Sequence, residues 1–478
     1  MSRILLCGLC PLPFENTRQS YGPGIRTWQM AHSLAQAGHQ VSLLAMRIDG
    51  TYQPDDGIPD REVHAGVEIE RLNSPQFFDR EELARRIKAV QPDALVGATI
   101  YGSFVLAQQS PQVPFWADQF GHVMAEAQAK AHLESANWPL AHFWNLLAPV
   151  LRSADKLSVV SFRQRWAAVG ELGLVGRLSA ETCGYEFTSL MPCALLPDED
   201  QPEVRTLLRG HGVPEDAFVS LWSGGYNVWS DVDTLFKAHE IAMEKDPNLH
   251  FVSTGGGIAG HDESTYARFE ASVASSEFKD RYHLQGWVKA DLVPSYQAEA
   301  DLGVLCEIPM YEGLLGSKNR IVQWLGGGLP TLYNKVGDLG DLLDDDDLGL
   351  TFAVGAADEM AEKLLWAASH RDELAEMAAR AKRYARNDLS FEATTADLVE
   401  WAESPAFAPD VDFRASIRSP GDYPLPTAPG APEETAPVEE AEPSLPEPIP
   451  GAEIGAPRPE LPQPSGLGRV LRRIFSFS

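Results

Sequence analysis

No apolar run in this sequence approaches the roughly 20 residues that a membrane-spanning helix needs. Basic residues are scarce: Lys and Arg total 39 against 68 Asp and Glu, a formal net charge of −29. Phosphate-backbone binding needs a basic face, so a general nucleic-acid binder is excluded; a small basic pocket for one nucleotide is not. Five cysteines are an odd, low count without framework spacing. The chain therefore reads as a reduced, cytoplasmic protein. Ahead of Pro11 stand one arginine and a very short apolar stretch, too short for a signal peptide.

What is present is a globular composition over 478 residues, enough for two sizeable cores. Composition changes near residue 404. Residues 404–465 hold 16 of the 35 prolines, 11 acidic residues, three arginines and no lysine. Such a stretch buries too little apolar surface to offset its ordering entropy, so a disordered, extended linker is expected there. In residues 466–478, Leu467, Val470, Leu471 and Ile474 fall at helical spacing, with Arg469, Arg472 and Arg473 off that stripe. This reads as a short basic amphipathic helix, or as a frayed tail. The tail does not account for the acidity, because residues 1–403 alone carry −24.

Residues 1–403 alternate short apolar runs with helical patterns. Arg3–Gly8 reads as a buried strand, Gly24–Ala37 as a helix stopped by Gly38, and Val41–Met46 as the next strand. Val67–Leu72, Ala94–Ala98, Val113–Ala117 and Leu157–Val160 follow as strands, with one long helix near 122–151. The pattern restarts after a turn-rich junction near Pro197–Glu203, with strands at Ala217–Trp222, His250–Ser253 and beyond, and helices closing at 357–369 and 371–386. Repeated βα units imply a parallel sheet covered on both faces. Two such series imply an α/β chain of two Rossmann-like, doubly wound domains facing an interdomain cleft, with ligands at the carboxyl ends of the strands. The expected limits are 1–197 and 198–388, then a terminal helix at 389–403, the linker at 404–465 and the basic helix at 466–478.

Several segments carry candidate chemistry. Tyr21-Gly22-Pro23-Gly24-Ile25-Arg26 opens the first helix, where glycines let backbone N–H groups approach an anion. Trp222-Ser223-Gly224-Gly225-Tyr226-Asn227 stands at the equivalent place in the second domain. Lys318 and Arg320 fall at the start of a helix behind Gly316-Ser317. Two cations there oppose the helix dipole unless an anion binds between them. Glu312 precedes them as an acceptor for hydroxyls. Asp118 and His122 follow a first-domain strand and are candidates for a catalytic or substrate role, the plain alternative being a helix cap. Asp231-Val232-Asp233 has the look of a metal-binding triplet, but Ser230 and an acidic first turn read better as a helix cap. Asp410-Val411-Asp412 lies in the expected linker, with no site around it. Cys7-Gly8-Leu9-Cys10 lacks a second ligand pair and reads as buried structural thiols.

These residues resemble the GT-B glycosyltransferases of the family 4 type, the glycosyl transferases group 1. GPGIR with MAHSLAQAGHQVSLL is similar to that family's opening. WSGGYN, LQGWVKADLVPSYQAEADLGVL, YEG and GGGLPTL follow its order in the second half. The family's E-x7-E signature is altered: counted back from Gly328-Leu329-Pro330, its second Glu is Gln323, and Glu312 best matches its first. The Lys of the second-domain loop is absent, and Lys318 and Arg320 stand in as the positive charge.

The resemblance implies a nucleotide-sugar donor, a hexose-type sugar, a glycan or lipid-linked acceptor, retention at the anomeric carbon and no metal or other cofactor. On that basis Asp118, His122, Glu312, Lys318 and Arg320 are the expected catalytic set. Gly22, Gly24, Arg26, Gly224, Gly225, Tyr226, Asn227, Trp287 and Gln323 are the expected donor-binding set. A catalytically inactive GT-B scaffold is the alternative that the altered signature keeps open. The expected location is the cytoplasm, with 466–478 offering a peripheral contact to the inner face of a membrane or to a protein.

Overall fold

The computed structural model describes residues 1–15, 17, 21–48, 50–52, 56–197, 203–258 and 261–414. The expected linker beyond 414 and the helix at 466–478 lie outside the described residues. Fourteen strands form two sheets among those described. The first contains β1 (Arg3–Cys10), β2 (Gln40–Arg47), β3 (Arg61–His64), β4 (Val67–Leu72), β5 (Ala94–Gly97), β6 (Phe115–Gln119), β7 (Lys156–Val159) and β8 (Thr188–Leu190), in the order β3-β4-β2-β1-β5-β6-β7-β8. Only the β3–β4 pair is antiparallel. The second contains β9 (Phe218–Ser223), β10 (Leu249–Thr254), β11 (Tyr282–Leu284), β12 (Leu302–Leu305), β13 (Thr331–Asn334) and β14 (Leu350–Phe352), all parallel, in the order β11-β10-β9-β12-β13-β14.

Each sheet has a point where strand order reverses: β1 lies between β2 and β5, and β9 between β10 and β12. A crevice opens at such points, beyond the carboxyl ends of the strands. Strand β1 is buried along almost its whole length because helices cover both faces. Its alternation sends Leu5, Cys7 and Leu9 into one core and Ile4, Leu6 and Cys10 into the other. Cys7 and Cys10 thus sit on opposite faces, and burial pushes the Cys10 thiol up to about 12. Both thiols are structural.

The two domains meet through the ends of their helices. The Ser161 hydroxyl donates to the Leu315 carbonyl at 2.6 Å, and the Phe162 N–H to Asp338 at 2.6 Å. Arg163 bonds Asp338 and Asp341 at 2.6 and 2.7 Å. Two chain segments cross between the domains side by side, tied by Leu195 N–H to the Leu389 carbonyl at 2.7 Å. The short helices Phe391–Thr394 and Ala396–Glu403 then return to the first domain, where Trp401 packs on Trp116 at 5.5 Å.

Three sequence expectations change. The long helix near 122–151 is two helices, Val123–Glu134 and Trp138–Ser153, parted at Ser135 in the left-handed region. The strand expected at Val113–Ala117 runs over Phe115–Gln119, which puts Asp118 inside the sheet. The linker does not begin at 404. Asp410 is fully buried and pairs bidentately with buried Arg177 at 2.5 and 3.0 Å. Asp155 accepts from the Ala408 N–H and from Arg414. Composition hid these contacts because the partners lie more than 200 residues away.

Breaking a buried ion pair from one side leaves an uncompensated charge, at a cost of about 3–5 kcal/mol. Asp410→Ala should therefore lose stability on that scale in urea unfolding. Asp412→Ala, at an exposed position two residues on, should change it by less than about 0.5 kcal/mol. Equal effects would show that the 404–414 segment is not anchored through Asp410.

Candidate active site at the strand ends of the second domain

The second-domain crevice is built first from glycine. Gly224 follows β9 with φ +93°, a conformation that disfavours side chains. A Cβ on Gly255, just after β10, would lie 1.7 Å from the Gly224 carbonyl oxygen. The two loops therefore cross main chain to main chain. A Cβ on Gly225 would come within 2.4 Å of Ile258 and 3.3 Å of Trp287, whose indole N–H donates to the Gly257 carbonyl at 2.8 Å.

Arg320, second residue of the Asn319–Gly327 helix, enters this crevice. Its guanidinium lies over the Trp222 ring at 5.1 Å, and Nη2 donates to the Gly225 carbonyl at 2.9 Å. Nη1 is buried and has no protein partner; the Thr254 hydroxyl at the end of β10 is likewise buried and unpartnered. A guanidinium presents five donors in a fixed fork, and one left idle in a buried position is costly. An anion in the crevice would satisfy it.

Lys318 does not share that role. Its ammonium, 9% exposed, contacts both Glu312 oxygens at 3.0 and 3.2 Å and Glu307 at 3.1 Å, above the Trp229 ring. Burial alone would lower its pKa, but the two carboxylates reverse the shift and hold the charge in place. The expected cation pair therefore separates: Lys318 is neutralised within the protein, and Arg320 is left facing the crevice. Glu307 was missed in the sequence, although it stands two residues after β12. It is buried, accepts from the Tyr333 hydroxyl at 2.6 Å, and is clasped through its backbone by Asn334. Burial pushes the Glu312 carboxyl up to about 7, with Lys318 opposing and Glu307 adding to the shift.

The other expected site residues divide. Asp118, 0% exposed, accepts from Arg26 at 2.7 and 3.0 Å, from Ser158 at 2.7 Å and from the Thr99 N–H at 3.1 Å. Arg26 spends its remaining Nη1 donor capacity on Gln29 and on the Met191 and Pro192 carbonyls. Asp118 and Arg26 thus form a closed structural knot, with no group left for a ligand. Tyr226 is a core residue, stacked on Trp222 at 4.6 Å with its hydroxyl on Ser253. The Asn227 N–H donates to the Ser230 hydroxyl, which closes the turn before the next helix. Gln323 donates to the Ala194 carbonyl at 2.8 Å and accepts from the Leu196 N–H at 3.2 Å. It ties its helix to the interdomain crossing and is not aimed at a donor.

A Cβ on Gly24 would overlap the Pro11 carbonyl, and one on Gly22 would meet Asn319 of the second domain at 2.9 Å. These two glycines therefore serve helix packing and domain contact. Asp231 caps its helix through the Thr234 N–H and hydroxyl, one residue later than the sequence suggested. His122 caps the Val123–Glu134 helix, accepting from the Ala125 N–H at 3.1 Å, and its Nε2 lies 3.2 Å from Glu171. It lines a cavity of ≈ 610 Å³ between that helix, the Trp138–Ser153 helix and the Tyr311–Leu315 helix. A larger cavity of ≈ 810 Å³ contains none of the candidate groups; it lies among Leu195, Phe391 and Val399 by the crossing segments.

A carboxyl whose pKa rises on folding binds its proton more tightly in the folded chain. Its contribution is complete below the ordinary carboxylate range and is lost as pH rises through about 7. The melting temperature of the native chain should therefore fall relative to Glu312→Gln between about pH 5 and pH 8. A difference that stays flat with pH would place the Glu312 carboxyl in the ordinary range.

Residues 217–370 match the family described as glycosyl transferases group 1. No curated protein matches the sequence. Among solved structures the chain is similar to sucrose-phosphate synthase from Thermosynechococcus elongatus, at 14% identity and TM-score 0.62 over 84% of this chain and 98% of that one. It is similar to HepE of Anabaena in complex with UDP-glucose, at 16% identity and TM-score 0.58 over 84% and 100%. It is similar also to the trehalose-6-phosphate synthase OtsA, at 11% identity and TM-score 0.63 over 85% and 100%. At these identities the structures speak for the fold, and the family match speaks for the second domain. The chain therefore has the GT-B fold of these structures, and its residues 217–370 match the glycosyl transferases group 1.

Proposed function

We propose that the chain transfers a hexose-type sugar from a nucleotide-sugar donor to a glycan or lipid-linked acceptor, with retention and without a metal. The observation that carries this reading is the buried Nη1 of Arg320, unpartnered beside the glycine crossing at the ends of β9 and β10. Departure of a nucleoside diphosphate concentrates negative charge on its terminal phosphate. A guanidinium already seated there stabilises that charge without reorganising. The Gly224–Gly225 turn adds main chain free of side-chain bulk. Glu312, steadied by Lys318, would accept hydrogen bonds from hydroxyls of the transferred sugar. The HepE structure holds UDP-glucose, which supports a UDP-sugar as the first donor to try. Metal independence rests on Arg320 supplying the charge, and on Asp231 being engaged as a cap. Retention rests on the family resemblance alone. The basic segment 466–478 is proposed as a peripheral contact for an anionic surface.

A charge-assisted hydrogen bond contributes about 1.5–3 kcal/mol, so Arg320→Ala should weaken UDP binding about 10- to 100-fold in calorimetry. Gln323→Ala should not act on UDP directly. Turnover should persist in excess chelator, and the product anomer, read by NMR, should match the donor. UDP affinity unchanged in Arg320→Ala would remove the central residue of the proposal. A full chain that binds no nucleoside diphosphate and hydrolyses no nucleotide-sugar would instead be the inactive scaffold.

A further inference from the structure

The ≈ 610 Å³ cavity beside His122 takes walls from both domains. One wall is the Val123–Glu134 helix with the start of the Trp138–Ser153 helix. The other is the Tyr311–Leu315 helix, which also carries Glu312. We propose, resting on the transferase reading above, that this cavity holds the acceptor and that the acceptor is an uncharged saccharide, not a sugar phosphate.

The lining decides the chemistry. It consists of Met124, Ala125, Ala131, Leu140 and Leu315, the Tyr311 ring, the amides of Gln128 and Asn137, and the imidazoles of His122 and His132. Among the described residues no Lys, Arg, Asp or Glu lines it. The charged groups on the same helices are engaged elsewhere. Lys130 pairs with Glu126 at 3.1 Å and lies over the Phe143 ring at 4.9 Å, while Glu134 accepts from the Trp138 indole at 2.5 Å.

A phosphate dianion placed here would leave water with no lysine or arginine to meet it, and in a chain of net charge −29. The contrast with Arg320 is direct: the protein seats a guanidinium where a diphosphate is expected and none here. Amides and imidazoles both donate to and accept from hydroxyls. Apolar and aromatic side chains match the C–H faces of a sugar ring, and Tyr311, 61% exposed, offers such a face.

The test is ligand binding to the full chain, followed by saturation-transfer NMR, so that it does not depend on turnover. The probes are methyl glucosides, maltotriose and xylobiose against glucose 6-phosphate, with UDP titrated into the same samples. The neutral sugars should bind and glucose 6-phosphate should bind at least about 10-fold more weakly; Tyr311→Ala and Gln128→Ala should each weaken the neutral sugars about 5- to 10-fold without moving the melting temperature. Both side chains are exposed, so neither change should compromise folding. Preference for glucose 6-phosphate, no binding of any neutral probe, or neutral-sugar affinity untouched by both substitutions would each overturn the inference. If that happens while UDP still binds, the inference alone falls. If no nucleoside diphosphate binds either, the transferase reading beneath it falls too.

Discussion

A buried guanidinium needs an anion, and this acidic chain meets that need in two ways. Arg26 has Asp118, Arg71 has Glu15 and Arg177 has Asp410, each pair buried on both sides. Arg320 has a ring face and one carbonyl, and one of its nitrogens has nothing. The difference is not a shortage of carboxylates. Glu307 and Glu312 are close by, but Lys318 holds both. The ammonium on the residue two before Arg320 therefore protects the guanidinium from being neutralised within the protein. Every other part of the crevice follows from that separation: glycine where bulk would fill it, Trp222 beneath the guanidinium, and strand ends that open it.

Periodicity and turn chemistry made the architecture legible. Strand β4 stands at Val67–Leu72 and β12 at Leu302–Leu305, as their apolar runs suggest. The two glycine loops stand after the first strand of each sheet. What the sequence could not convey was partnership. Asp118 reads as a strand-end polar residue with a catalytic look, but its partners come from Arg26, Thr99 and Ser158. Lys318 and Arg320 read as equals because local sequence shows two cations on one turn. Glu307, which sets them apart, is two residues beyond a strand and has no motif of its own. The stretch 404–414 reads as linker because its composition is set by prolines and acids, while its stability comes from Arg177 and Asp155 far upstream.

The altered signature also acquires a physical reason. Gln323 donates to the Ala194 carbonyl and accepts from the Leu196 N–H in the same contact. A carboxylate accepts but cannot donate, so Glu at this position would leave the Ala194 carbonyl facing a negative charge. The amide is the side chain that this crossing segment requires.

That contact also links the two scales of the molecule. Gln323 lies one turn along the same helix from Arg320, and its partners lie in the crossing segment that runs beside Leu389. Two adjacent crossings make a hinge with a defined axis, because rotation about a single segment would shear the Leu195–Leu389 hydrogen bond. Movement about that axis carries the Asn319–Gly327 helix, and Arg320 with it. On the far side, Arg163 reaches Asp338 and Asp341 across the boundary, where a half-exposed ion pair costs little to break. Beside that pair stand the part-buried Ser161–Leu315 and Phe162–Asp338 hydrogen bonds, so the two domains are tied at the crossing segments and again at this boundary.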